Sequence, residues 1–149
     1  MGVNLNDAAA VQKAVAEAAK FENAIAVESY IAGDDHRLLV VDGKLIAAAR
    51  RIPGHVVGDG TRSISELVAQ ANLDPRRGVC FETLMVRLEL DAQVERTLAT
   101  QGLDAASVPA TDQMVYLRTT ANIATGGTAL DVTDSIHPDN ARAAVRAAT

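Results

Sequence analysis

The sequence predicts an α+β fold of one ordinary domain's size. Three observations point to it. Apolar residues recur at helical spacing near both ends of the chain. Between them, Asp42-Gly43 separates two apolar runs, a hairpin signal because a type I′ turn needs positive φ at both central residues. Farther on, Ser63 and Glu66 stand three apart at the head of an apolar run, which is the signature of a capping box.

The first segment, residues 1–21, reads as a helix, with Ala8, Val11, Val15 and Ala18 on one face and Asn6 or Asp7 as its cap. Residues 2–5 look like the tail of a strand. Ile25, Val27, Tyr30 and Ile31 read as the next strand, followed by the loop Ala32-Gly33-Asp34-Asp35. Strands at 36–41 and 44–52 flank the Asp42-Gly43 turn. A short apolar segment at 54–57 ends in Gly58-Asp59-Gly60. Ile64, Leu67, Val68 and Ala71 form the buried face of the capped helix, and residues 72–78 turn around Asp74-Pro75.

Residues 84–90 alternate as a strand, with Leu84, Val86, Leu88 and Leu90 on one face. Asp91 caps a helix reaching about Gln101, with Val94 and Leu98 inward and Gly102 ending it. An irregular stretch surrounds Pro109, residues 114–121 read as a strand, and residues 122–128 form a loop with paired glycines. Pro138 opens the last helix, whose inner face holds Ala141, Ala144, Val145 and Ala148. Neither an internal repeat nor a low-complexity linker interrupts this order.

Composition narrows the function. Apolar residues make up 48% of 149, yet aromatics are 3% and Trp is absent, so the core is built from Ala, Val, Leu and Ile. A net charge of −5, with no basic run longer than Arg50-Arg51 or Arg76-Arg77, argues against binding nucleic acid by phosphate neutralisation. The single cysteine, Cys80, excludes an internal disulfide and a cysteine-based zinc site. His36, His55 and His137 lack ligand spacing, so no zinc site is expected. No apolar run reaches membrane-spanning length and no signal peptide is evident, so a soluble, cytoplasmic protein is expected, in a reducing compartment.

Residues 24–53 carry the densest charge in an apolar neighbourhood. Glu28 shares a predicted strand face with Ala24, Ala26 and Tyr30; it is a candidate hydrogen-bond acceptor, or else solvent-facing or paired with arginine. Asp34-Asp35 can hold a ribose hydroxyl or a cation, or serve only as a turn. Arg37 alternates with Leu39 and Val41, a setting that calls for an anionic partner. The 122–128 loop can cradle phosphate or carboxylate with backbone amides, although it matches neither G-x-x-x-x-G-K-S/T nor G-x-G-x-x-G. Cys80 reads as a small core residue, and Ser63 and Ser65 are explained by the helix cap.

The run VESYIAGDDHRLLVVDGKLIAAARRIPGHVVGDG, followed by SISELV, NLDPRRG, QGLDAASVP, VYLRTTANIATGG and DVTDSIHPDN, resembles the ATP-grasp domain of the cyanophycin synthetase family over nearly the whole chain. Bifunctional glutathione synthetases share a similar VVGDG, DSVP and NISTGG layout and are the competing resemblance. The wording DHRLLVVDGK and PGHVVGDG favours the former.

The resemblance implies an ATP-dependent carboxylate–amine ligase that elongates multi-L-arginyl-poly-L-aspartate. The polymer's terminal carboxylate is phosphorylated and the aspartate amine attacks the acyl phosphate. It implies that Glu28, Ser29, Tyr30 and Ile31 form the adenine segment, that Asp35 holds the ribose, and that Arg37 faces the acyl phosphate or substrate carboxylate. Asn122, Ala124, Thr125 and Gly126 would hold the end of the growing chain. The implied cofactors are ATP and Mg²⁺, with the metal ligands outside this stretch. The implied partners are aspartate, the aspartate–arginine polymer, the remaining domains of a parent synthetase and a further copy in a homo-oligomer. The implied fold is a partial ATP-grasp core, its C-terminal half, with an inserted α/β lobe at 54–109.

Two departures accompany the resemblance. The family usually has Ser where this chain has Ala124, and His within the segment occupied by Cys80-Phe81-Glu82. The phosphate-binding lysines, the glycine-rich loop and the Asp and Glu-x-Asn magnesium ligands of ATP-grasp enzymes are also not found. Phosphoryl transfer depends on cations to neutralise developing charge, so the expectation is a piece of a larger enzyme, inactive alone. A non-catalytic polymer-binding or interaction module is the alternative.

Overall fold

Asp7 starts the first helix by accepting the amide of Ala10 at 2.7 Å, and α1 runs Ala8–Ala18. The computed structural model describes residues 5–22, 24–29, 31–79 and 83–148, and separates the chain into two units, Met1–Gly33 and Asp34–Thr149. In the first unit the helix is shorter than the predicted 1–21; residues 1–4, with most of the expected strand tail, lie outside the described residues. The predicted strand through Ile25, Val27 and Ile31 does not form: 24–29 and Ile31 carry no strand pairing. Val27 and Ile31 are 71% and 85% exposed. Alternation alone does not make a strand, because its amides and carbonyls need a ladder partner.

In the second unit β1 (Asp35–Val41) and β2 (Lys44–Ile52) form the expected hairpin. Asp42 and Gly43 have φ of 49° and 69°, as a type I′ turn requires. Leu39 faces Ala47 whereas Val40 faces Leu45, so Ile46 is an extra residue that bulges β2. On the other side of β2 lies β7 (Thr128–Asp131), antiparallel, giving the sheet order β1-β2-β7. This strand was not expected from the sequence, since Thr-Ala-Leu-Asp has no clear apolar alternation. Beyond it, the Val132 amide donates to the Ala48 carbonyl at 2.8 Å and the Ala48 amide to Thr133 Oγ1 at 3.0 Å, extending the edge. The last helix, α4 (Pro138–Ala147), starts at Pro138 as predicted and packs on β1 and β2.

The apolar core lies elsewhere. It gathers β3 (His55–Val57), α2 (Ile64–Ala71), α3 (Ala92–Thr100) and β6 (Met114–Tyr116) around Val56, Ile64, Leu67, Val68, Leu88, Val94, Leu98, Val115 and Leu117. β3 and β6 pair antiparallel, with Val56 opposite Val115. Both helices start as their sequences require. Ser63 Oγ accepts the Glu66 amide while the Glu66 carboxylate accepts the Ser63 amide at 2.8 Å, and Asp91 accepts the amides of Gln93 and Val94. Burying each of these aliphatic side chains contributes about 1.5–3 kcal/mol relative to leaving it in water, which is how a core without aromatic rings holds.

Two predicted strands are much shorter than expected. Of 84–90 only β5 (Met85–Val86) is strand, parallel to β4 (Arg77–Gly78). Leu88 is buried, but Leu84 on the same predicted face is 78% exposed. The ladder stops because the Asn72 side chain takes both backbone groups of Leu88: its Oδ1 accepts from the Leu88 amide at 2.9 Å and its Nδ2 donates to the Leu88 carbonyl at 2.8 Å. Of 114–121 only β6 is strand, limited by the three residues of its partner β3.

Candidate functional site

In the first unit, Glu28, Ser29 and Ile31 sit in the segment after α1 that has no regular secondary structure, and Tyr30 lies outside the described residues. Because no strand forms there, the expected sharing of one strand face by Glu28, Ala24 and Ala26 does not hold. Glu28 instead lines a groove of about 320 Å³ between α1 and residues 24–28, walled by Val11, Val15 and Ala18. It is exposed and makes no ion pair with a described residue.

In the second unit the charged residues of the hairpin pair with each other. Asp35 and Arg51 are cross-strand partners, and the Asp35 carboxylate accepts from Arg51 Nε and Nη2, both at 2.8 Å. Such a two-point bond is the strong form of the arginine–carboxylate contact. Asp34 accepts from Arg50 Nη1 at 3.3 Å, and Arg50 Nε is buried with no partner among the described residues. Arg37 stands two residues from Asp35 on the exposed side of β1, with Leu39 and Val41 also exposed. Its side chain has no hydrogen bond or ion pair among the described residues. One strand therefore carries an acid fixed by a cation and, about 7 Å along, a cation with its donors open.

The 122–127 loop has an exposed rim and a buried base. Asn122, Ile123, Ala124 and Thr125 are exposed, and Gly126 and Gly127 are buried. Its amides turn inward. Asn122 Oδ1 accepts the Ala124 amide at 2.9 Å, and the Asn122 carbonyl accepts the amides of Thr125 and Gly127 and the Thr125 hydroxyl. The Gly126 amide donates to the Ile123 carbonyl at 3.1 Å. The amide cradle expected from the sequence is thus closed on itself, because a one-turn 3₁₀ helix at Ile123–Thr125 uses those donors. Of the rim's side-chain groups, Asn122 Nδ2 has no partner among the described residues, and the Thr125 hydroxyl, which donates to Asn122, can still accept.

Sequence reasoning missed the residues that support this loop. Arg77 Nη1 donates to the carbonyls of Val86 at 2.9 Å and Gly126 at 3.3 Å. The Arg76-Arg77 pair was visible, but nothing local distinguishes the two. Arg76 is exposed and bound to Asp74, whose carboxyl it holds down at about 2. Arg77 is half-buried, and burial pushes its guanidinium below the ordinary value. The buried Arg118, in a two-point bond to Asp91, also went unseen. Cys80, Phe81 and Glu82 lie outside the described residues. Among the described residues, no group of three or more His, Cys, Asp or Glu side chains can hold a metal ion, and no helix is long and apolar enough to cross a membrane.

No family model matches the chain. It is 46% identical over 129 residues to the cyanophycin synthetase of Trichormus variabilis, covering 86% of this chain and 14% of that enzyme. It is 38% identical over 134 residues to the glutathione biosynthesis bifunctional protein of Desulfotalea psychrophila, covering 90% of this chain and 17% of that protein. Among solved structures, the bifunctional glutathione synthetase of Pasteurella multocida superposes with a TM-score of 0.70 at 39% identity, over 78% of this chain and 16% of the synthetase. The chain thus matches a stretch of a larger synthetase, spanning about one seventh of the cyanophycin synthetase it resembles.

Proposed function

We propose that this chain is a segment of a cytoplasmic, ATP-dependent amino-acid ligase that elongates multi-L-arginyl-poly-L-aspartate. The observation that carries the reading is the 46% identity to a cyanophycin synthetase across 86% of the chain. The fold in this reading is the C-terminal half of an ATP-grasp core, with residues 54–109 as an inserted lobe; most of the apolar core comes from that stretch.

Each site residue keeps a separate role. The backbone of residues 28–31 reads the adenine edge; the backbone at 24–29 suits this, since its polar groups are not used in a ladder. Asp35 holds the ribose. Its carboxylate has about four acceptor positions, of which Arg51 takes two, so capacity remains for a hydroxyl donor. Arg37, with no described partner, neutralises the acyl phosphate or the substrate carboxylate. Asn122, Ala124, Thr125 and Gly126 receive the polymer's end.

The magnesium ligands and phosphate-binding lysines belong to other parts of the longer enzyme, together with its further domains and its homo-oligomeric contacts. ATP and Mg²⁺ supply the phosphoryl group and its charge neutralisation there, and this segment alone does not turn over. A second reading, the corresponding part of a glutathione-type ligase, is favoured by the TM-score of 0.70. Backbone NMR titrations test both. ATP is expected to shift residues 28–37, and an Asp-Arg dipeptide to shift 122–127 more than γ-glutamylcysteine does. The reverse order of the two peptides would move the assignment to the glutathione type, and no response to any of them would overturn it.

A further inference from the structure

The geometry points to Arg77 as the positioning residue of the 122–127 loop, an inference that rests on reading this loop as the receiver of the substrate's end. The loop's exposed rim holds itself together through Asn122, and the amides of its buried base donate back to Ile123 and Asn122, but the Gly126 carbonyl is held from outside. Arg77 reaches it from β4 and donates from one nitrogen to the Gly126 carbonyl at 3.3 Å and the Val86 carbonyl at 2.9 Å. The base is thereby tied to β5.

Close packing makes this tie matter. Gly126 has φ of +89°, and a Cβ there would lie 2.6 Å from Leu88 Cδ2. Leu88 does not yield easily, because Asn72 holds both of its backbone groups. At Gly127 a Cβ would lie 2.7 Å from the Asn122 carbonyl and 2.9 Å from the Ile52 carbonyl. Gly127 is pressed against Ile52 of β2 and Gly126 against Arg87 and Leu88. Arg77 supplies the charge-assisted contact among these supports, and Arg76 cannot replace it, being bound to Asp74.

A rim that must meet a ligand in a fixed geometry gains from a base locked before the ligand arrives. Without Arg77 the Ala124 and Thr125 amides keep their bonds to Asn122, while the bonds that Gly126 and Gly127 donate to the Ile123 and Asn122 carbonyls open more often because the Gly126 carbonyl is released. The loop then orders only on binding, and the ligand must supply that ordering.

Amide hydrogen exchange on the 149-residue chain tests this with no ligand present. In R77M, exchange at Gly126, Gly127 and Thr128 is expected to speed up about tenfold, the effect of losing one hydrogen bond to a charged donor. Rates at Val94 and Leu98 in α3 stay as they were. R77K, which keeps a cationic donor, restores most of the protection. With an Asp-Arg dipeptide, R77M binds about tenfold more weakly, R77K recovers, and the ATP response at Glu28 is unchanged.

Unchanged loop exchange in R77M, or acceleration that is equal in the loop and α3, overturns the assignment. If R77M does not fold, R77Q is compared with R77K: looser exchange in R77Q supports the clamp, and equal exchange overturns it. A wild-type loop that ignores the dipeptide while R77M still loosens it leaves the clamp standing and removes the substrate reading instead.

Discussion

The Arg118 guanidinium, 9% exposed, forms two hydrogen bonds to the Asp91 carboxylate at 2.9 and 2.8 Å, and that carboxylate also caps α3. One side chain thus satisfies the first amides of a helix and a cation buried beside the core. Removing it by D91A leaves the amides uncapped and the guanidinium unpaired. A loss of about 2–4 kcal/mol is expected, more than a cap alone contributes. Urea unfolding of D91A and of D91A/R118M separates the two parts, because the double variant recovers the share due to the stranded charge.

Acid should weaken the same joint. Arg118 and the amides of α3 hold the Asp91 carboxyl at about 2, below its ordinary value of 3.8. A carboxyl depressed in the folded state stabilises fully above its unfolded value. That contribution is lost as pH falls from about 4 towards about 2. Unfolding midpoints measured from pH 5 to pH 2 should fall less steeply in D91N than in the parent chain.

Asn72→Ala should cost more than an ordinary surface substitution. It removes both hydrogen bonds to the Leu88 backbone and leaves a part-buried amide and carbonyl unmatched. A loss of about 2–3 kcal/mol is expected, readable by thermal melting, with Leu88 the first core amide to exchange.

Gly127→Ala sets a Cβ against two backbone carbonyls, Asn122 and Ile52, neither of which is a flexible side-chain end. About 1–3 kcal/mol of destabilisation is expected, with loss of the Ile52–Thr128 pairing in the NMR contact pattern.

Arg37→Ala should leave stability within about 0.5 kcal/mol, since Arg37 is exposed and without a described partner. In a full-length synthetase carrying this segment, the same change should lower turnover about a hundredfold or more if Arg37 neutralises developing charge. Wild-type turnover in R37A would remove it from the site.

Features decided within four residues were legible in the chain itself. Asp42-Gly43 specifies a turn with positive φ, Asp7 and Asp91 reach their own helix amides, Ser63 and Glu66 cap each other, and Pro138 opens a helix that needs no amide there. These are local bonds, and the residues that make them are neighbours in sequence. The family's motifs were legible for the same reason, being contiguous runs.

Membership of a sheet was not legible, because it depends on a partner from a distant part of the chain. Ile25, Val27 and Ile31 alternate well enough but have no ladder, whereas Thr128–Asp131 scarcely alternates and is a strand because Ile52 and its neighbours lie alongside. Leu88 leaves its predicted strand because an amide side chain 16 residues away claims its backbone. The same holds for the site. Asp35, Arg37 and the glycine loop could be named in advance, but only the tertiary structure pairs Asp35 with Arg51, turns the loop's amides inward and sets Arg77 beneath Gly126. Residue type determined which groups carry charge and donors. Long-range packing decided which of them remain free to meet a ligand.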